Sequence, residues 1–177
     1  MVDEQAVLHD DGTIEFHDVL HEEPPVTWAS VDEFAATYDA EQIEDAHDPD
    51  HELGAATKFM MALAHEGPDW AVDFFRQLVV RVDSSSLGIL GAGPLEDLVR
   101  HDSQDPGRIE AVEIAARQLP EFQKTLSNVW LGEDLPQAFR SRLSVLGARD
   151  FVAEHEMNGD EIATYTEFRD SKGWDWG

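Results

Sequence analysis

Five of the eight histidines, His9, His17, His21, His47 and His51, fall in the first third of the chain, each with a carboxylate one or two positions away. His17 and His21 are four residues apart, and so are His47 and His51. On a helix that spacing puts two imidazoles on one face, where with Asp48, Asp50 or Glu22 they could ligate zinc, nickel or manganese. His17, His21, His47 and His51 are therefore the candidate ligands of a divalent metal. Two features weigh against them. The first pair straddles a predicted strand end and the second a predicted helix start, and in so acidic a chain a carboxylate beside any histidine is close to what composition gives.

Other catalytic constellations are weaker. His-Asp adjacency at His9, His17, His47 and His101 suggests metal phosphohydrolases, but those enzymes need further ligands on successive core helices, and the apolar segments offer little beyond Asp73. Ser84-Ser85-Ser86 has no glycine-flanked elbow and no histidine nearby in sequence. Gly91-Ala92-Gly93 lacks the basic residue of a phosphate cradle, and Glu96 and Asp97 would repel a phosphate. No cysteine is present, which removes thiolate zinc sites, cysteine nucleophiles and disulfides, and makes the cytoplasm the expected compartment.

Charge is the most distinctive property. The net charge of −26 argues against direct binding to nucleic acid or an anionic membrane, both of which call for Lys and Arg. Residues 1–57 hold seventeen Asp and Glu with no Lys or Arg, and residues 58–177 hold twenty-one acids against twelve bases. The first third alone carries −17. High-salt adaptation is a competing cause, since only three lysines occur, but adaptation should act along the whole chain. Glu41, Glu44, Asp45, Asp48 and Asp50 are thus the candidate contacts for a basic protein.

The elements that must position these residues are mostly helices. Ala6–His9 and Thr13–Val19 flank Asp10-Asp11-Gly12 as a predicted hairpin, ended by Glu22-Glu23-Pro24-Pro25. Ser30-Val31-Asp32-Glu33 reads as a capping box opening a helix from Val31 toward Asp45. Pro49, Pro68, Pro94, Pro106, Pro120 and Pro136 each precede a segment of helical period, with Asp48 and Asp105 as N-caps and Gly67 and Gly93 marking two further starts. Apolar residues recur at three and four, as in Ile109, Val112, Ala116 and Leu119. Trp70–Val82 adds Val72 and Val80 outside its stripe and is predicted to be the most buried helix. Gly91 and Gly93 are expected to stop a helix that Pro94 restarts. Two tryptophans in the last four residues, Trp174 and Trp176, are expected to dock on the chain or on a second subunit.

The string Leu90-Gly91-Ala92-Gly93-Pro94-Leu95-Glu96-Asp97-Leu98 resembles a segment of uncharacterised helical bacterial proteins grouped as a domain of unknown function. The resemblance spans residues 50–146 and implies a helical fold without implying an activity.

These readings converge on one mainly α domain, residues 1–177, with a hairpin over 1–25, a helical core over 26–146 and a tail over 147–177. The core is expected to stack short helical hairpins, HEAT-like or as an orthogonal bundle, although no repeat period is found. The expected function is a non-enzymatic acidic module binding a basic protein, as immunity proteins and antitoxins do, or imitating nucleic acid. A metal-dependent hydrolase using the N-terminal histidines is the alternative, and a homo-oligomer is open.

Overall fold

The structure is a computed structural model, and it describes residues 4–18, 24–47, 52–101 and 105–155. The chain opens with an antiparallel hairpin, β1 (Glu4–Leu8) and β2 (Ile14–Asp18), in the register Leu8 opposite Ile14 and Ala6 opposite Phe16. Gly12 adopts φ 87° at the turn, a conformation costly for residues with a Cβ. The Thr13 N–H donates to Asp11 Oδ1 at 3.0 Å, closing the turn. Ile14, Phe16 and Asp18 alternate with half-buried Glu15 and His17, so one face of β2 enters the core. A third strand, β3 (Val26–Trp28), pairs antiparallel with β2 and extends the sheet beyond the expected hairpin. It is three residues long and follows two prolines, which hid its alternation.

Helix α1 (Val31–His47) begins as the capping box predicts. The Glu33 N–H donates to Ser30 Oγ at 3.3 Å, and the Glu33 carboxylate reaches back to the Ala29 N–H at 2.8 Å. Phe34, Ala35 and Tyr38 form its buried face. Helix α2 (Ala55–Glu66) ends on Gly67, whose φ of 55° and N–H bond to the Leu63 carbonyl make it a left-handed C-terminal cap, so Gly67 closes this helix where the sequence suggested a start.

Helix α3 (Ala71–Leu78) buries Ala71, Val72, Phe74, Phe75 and Leu78. It is shorter than Trp70–Val82, because the chain turns after Leu78 and leaves Val80 48 % exposed. Where β3, α1, α2 and α3 converge, Trp28, Phe34, Phe59 and Phe74 pack with ring centroids 4.9–6.1 Å apart, within the range of edge-to-face aromatic pairs.

The segment around Gly91 departs most from expectation. Helix α4 (Ser86–Leu90) runs without interruption through a π-helical turn at Gly91–Leu95 into α5 (Glu96–Arg100). Pro94 lies inside that turn and does not restart a helix. The wider turn accommodates a residue that has no N–H and whose ring crowds the preceding turn. Gly91 is needed for a separate reason: a Cβ there would lie 2.2 Å from the Thr125 carbonyl oxygen on the facing helix, whereas a Cβ on Gly93 meets nothing within 4 Å.

Beyond α5 come α6 (Pro106–Gln118), α7 (Pro120–Leu126), β4 (Trp130–Leu131), α8 (Gln137–Ser144), β5 (Arg149–Asp150) and α9 (Phe151–His155). Pro106 and Pro120 occupy first helical positions, and Asp105 caps α6 by accepting from the Gly107 N–H at 2.8 Å. β4 and β5 pair in parallel. Helix α1 packs on α2 and α3, α2 on β1 and α5, α3 on α6, α4 on α7, and α6 on α7 and α8. Pro49 and the terminal tryptophans lie outside the described residues.

Two measurements check this architecture. Gly91→Ala should destabilise the protein by about 1–3 kcal/mol, because the clash is with backbone that must shift, while Gly93→Ala should be neutral or stabilising, as helical Gly→Ala changes are. Equal urea midpoints for the two variants would show that the close approach is absent. Second, Glu113 on α6 meets Arg142 on α8 through two bonds of 2.8 Å. That bidentate bond, outweighing burial, holds the Glu113 carboxyl below its ordinary value of 4.5. A lowered folded-state pKa contributes stability above the unfolded value that is lost as pH falls through the folded one. Thermal midpoints should thus fall more from about pH 5 to about pH 3 in wild type than in Glu113→Gln. Parallel pH profiles would contradict the pairing.

Candidate functional site

The acids of α1 divide into two groups. Helix α2 starts after Gly54, which has no side chain to cap it, and the Glu41 carboxylate takes that role from another helix. It accepts from the Ala56 N–H at 3.0 Å, the Thr57 N–H at 2.8 Å and Thr57 Oγ1 at 2.9 Å. A carboxylate on the first N–H groups of a helix satisfies orphan donors and complements the helix dipole. Two residues earlier on α1, Asp39 accepts from the Asp83 N–H at 2.9 Å and from the Ser86 hydroxyl, at the entry to α4. Asp39 and Glu41 therefore hold the starts of two helices.

Of the expected partner-facing residues, Glu41 is turned onto α2 and Glu44 is exposed. The backbone of Asp45 is in α1 but its side chain is outside what is described, as are Asp48 and Asp50 altogether. Asp10, Asp11, Asp32, Glu33 and Glu52 are exposed as well. Asp32 is paired with Arg81 at 2.8 Å, and Glu52 with Lys58 at 3.2 Å.

The expected metal ligands are not gathered. His17 lies on strand β2, where a four-residue spacing does not have its helical meaning, and its ring meets Glu15, which also accepts from His9 at 3.0 Å. The two imidazoles hold the Glu15 carboxyl below its ordinary range, chiefly through the His9 hydrogen bond. His47 closes α1, with Nδ1 2.6 Å from the Ile43 carbonyl oxygen; because a carbonyl only accepts, Nδ1 carries the proton. His21 and His51 lie outside the described residues. Among the described residues no group of three or more His, Asp or Glu is arranged to hold a metal ion.

A cleft that sequence reasoning missed lies between the end of β2, the start of β3 and the first turn of α2. It encloses about 310 Å³, with Phe16, Val26 and Leu53 on its apolar side and Asp18, Glu52 and Lys58 on its polar side. The Lys58 ammonium is 3.4 Å from buried Asp18 and 3.2 Å from Glu52. Burial works to lower the Lys58 pKa, but the two carboxylates outweigh it and the net shift is upward. Strand and helix bring together residues 16 and 58, which no local motif links.

A family model, described as a family of unknown function (DUF6869), matches residues 41–150. The chain belongs to that family. The match takes in the end of α1, the helices up to α8 and the β4–β5 pair, and it leaves the hairpin outside. No curated protein and no solved structure matches the chain. Within the family region, Glu96 is a structural acid: its carboxylate accepts from the Trp130 N–H at 2.8 Å and so ties α5 to β4. Burial raises its pKa, against the Trp130 bond and Arg100. Arg100 in turn binds Asp134 at 2.7 Å. Among the described residues no helix is long and apolar enough to cross a membrane.

The two groups of acids should separate in a stability assay. Glu41→Ala should lose about 1–2 kcal/mol in urea unfolding, as loss of a helix cap does, whereas Glu44→Gln should stay within about 0.5 kcal/mol of wild type. Equal midpoints for the two variants would remove Glu41 from its capping role.

Proposed function

We propose that this protein is a non-enzymatic binding module that offers its acidic N-terminal third to a basic protein, in the manner of small proteins that neutralise basic toxins. One observation carries the reading. Residues 1–57 bring seventeen carboxylates and no Lys or Arg, and among the described residues Lys58 and Arg81 are the cations that pair with them. Further along the chain, arginines pair with acids of that same part of the sequence: Arg76 with Asp73, Arg100 with Asp134, Arg140 with Asp150 and Arg142 with Glu113. The excess negative charge is therefore concentrated at one end of the sequence, where it would steer a cationic surface into contact. The helical scaffold behind it, which we take as a stack of short hairpins, fixes α1 and the sheet that present the acids. The lack of cysteine supports a cytoplasmic setting.

The test uses a native partner recovered by affinity capture and its association rate as a function of salt. Asp10, Glu44, Asp45, Asp48 and Asp50 are replaced together by Asn or Gln, and Glu41 and Asp11 are kept because they cap α2 and close the hairpin turn. Association should slow by roughly tenfold or more at low salt and lose most of its salt dependence, while the urea midpoint stays near wild type. Unchanged rates and salt slopes would overturn the acidic-face reading.

A further inference from the structure

We infer that His9, Glu15 and His17 form a proton-operated switch that sets how strongly the hairpin attracts a basic partner. The inference rests on the acidic-face reading and adds a regulation to it. The three side chains meet on the outer face of the β1–β2 hairpin. Glu15 and His17 are two residues apart on β2, so both point away from the core that Ile14 and Phe16 enter. His9 follows the last residue of β1 and is held beside the turn by its own N–H, which donates to the Thr13 carbonyl at 2.9 Å. The Glu15 carboxylate turns one oxygen to each ring: Oε2 lies 3.0 Å from His9 Nε2, and Oε1 meets His17 Nε2. The two imidazole side chains are 44 % and 36 % exposed, open to protons and to a partner.

An ionised carboxylate has no proton to give, so each Nε2 carries a hydrogen and donates it to Glu15. The next proton therefore adds at Nδ1, the far side of the ring, and leaves the bond to Glu15 in place as a stronger, charge-assisted one. Glu15 stays ionised while this happens, because the His9 hydrogen bond above all holds its carboxyl below the ordinary range. The surroundings do not oppose the change. Asp11 in the turn acts on His9, Gln5 stands opposite His17 on β1, and Val7 on β1 and Thr27 on β3 stand opposite Glu15. Helix α2, packed on β1, presents Lys58 to Asp18 on the opposite, buried face. Residues 9–17 hold three acids, Asp10, Asp11 and Glu15, and the two histidines, so their charge passes from −3 to −1 when both rings are protonated. Histidine changes charge between about pH 5 and 8, and over that range the hairpin keeps its shape while its pull on a cationic surface weakens.

The experiment measures the affinity of full-length protein for a fluorescent decalysine peptide, whose charge is constant here because lysine ionises at about pH 10.4. Anisotropy titrations at about pH 7.5 and about pH 5.5, at one ionic strength, compare wild type with the exposed double substitution His9→Gln, His17→Gln, which cannot take up the two protons. On acidification, affinity should fall roughly two- to tenfold further in wild type than in the double variant, the size of two exposed charge contacts. Each single substitution should remove part of that difference. Equal falls in all four proteins would overturn the switch. A second readout is the Glu15 carboxyl carbon, followed by NMR. It should show an inflection between about pH 5 and 8 in wild type that is lost in the double variant, and its absence from wild type would overturn the shared carboxylate. The parent reading is tested separately. If native-partner association keeps its steep salt dependence while wild type and double variant lose decalysine equally on acidification, the switch fails and the acidic face stands. If decalysine reports the switch while neutralising the exposed acids changes nothing in partner association, the reverse holds.

Discussion

The N–H groups that open helix α2 must be satisfied by something other than their own N-cap, because Gly54 has no side chain. Glu41 supplies the acceptor from fifteen residues upstream, and Gly54 has to be glycine for it to do so: a Cβ there would lie 2.0 Å from the Glu41 carboxyl carbon. This bond fixes the distance between α1 and α2, and Gln42 reinforces it by donating to Thr57 Oγ1 at 2.9 Å. Once α1 lies at that distance, Phe34 reaches Phe59 and Phe74, and Trp28 closes over them from the sheet. Asp39, two residues earlier, then meets the entry to α4. The aromatic cluster supplies the larger burial, but the carboxylate gives that burial its geometry.

A second close approach propagates the arrangement. The helix spanning α4, the π-helical turn and α5 lies against α7 because Gly91 allows its backbone to touch the Thr125 carbonyl. Had Pro94 broken the helix, α5 would be free to leave in another direction. Because the π-helical turn carries the chain through, Glu96 emerges where it can accept the Trp130 N–H, and the short β4–β5 pair is anchored to the core. Arg149 then stacks on the Trp130 ring at 3.7 Å from its centre. Within the family region, the contact of this helix with α7 thus depends on one missing Cβ.

What the sequence made legible follows from which signals are local. The hairpin, the capping box at Ser30 and Glu33, the caps at Asp105 and the proline starts of α6 and α7 are all written within a few residues, and each is found. Strand β3 and the β4–β5 pair escaped because two- and three-residue strands have no period to detect. Gly91-Ala92-Gly93-Pro94 suggested a helix stop, which is what propensity alone favours; tertiary packing against α7 overrode it. The site was less legible than the fold. An acid that caps a distant helix looks, in sequence, the same as one that faces solvent, so Glu41 and Glu44 were indistinguishable three residues apart. Lys58 gave no sign that it would meet Asp18, forty residues away.

The charge asymmetry acquires meaning from that division of labour. Seventeen carboxylates in fifty-seven residues repel one another and work against a compact state. The fold relieves part of this by giving acids donors: Asp18 a lysine, Asp32 an arginine, Asp39 and Glu41 helix starts, Glu15 two imidazoles. Uniform salt adaptation would leave acids distributed along the chain without regard to what they bond. Here inward-turned acids such as Asp39 and Glu41 are interleaved with exposed ones, Asp10 in the hairpin turn and Glu44 on α1. The inward ones tie α1 and the sheet to α2; in the proposed binding role, a surface ordered beforehand would avoid the cost of ordering it on binding. The inward carboxylates thus shape this end of the fold, and the outward ones add to its negative field.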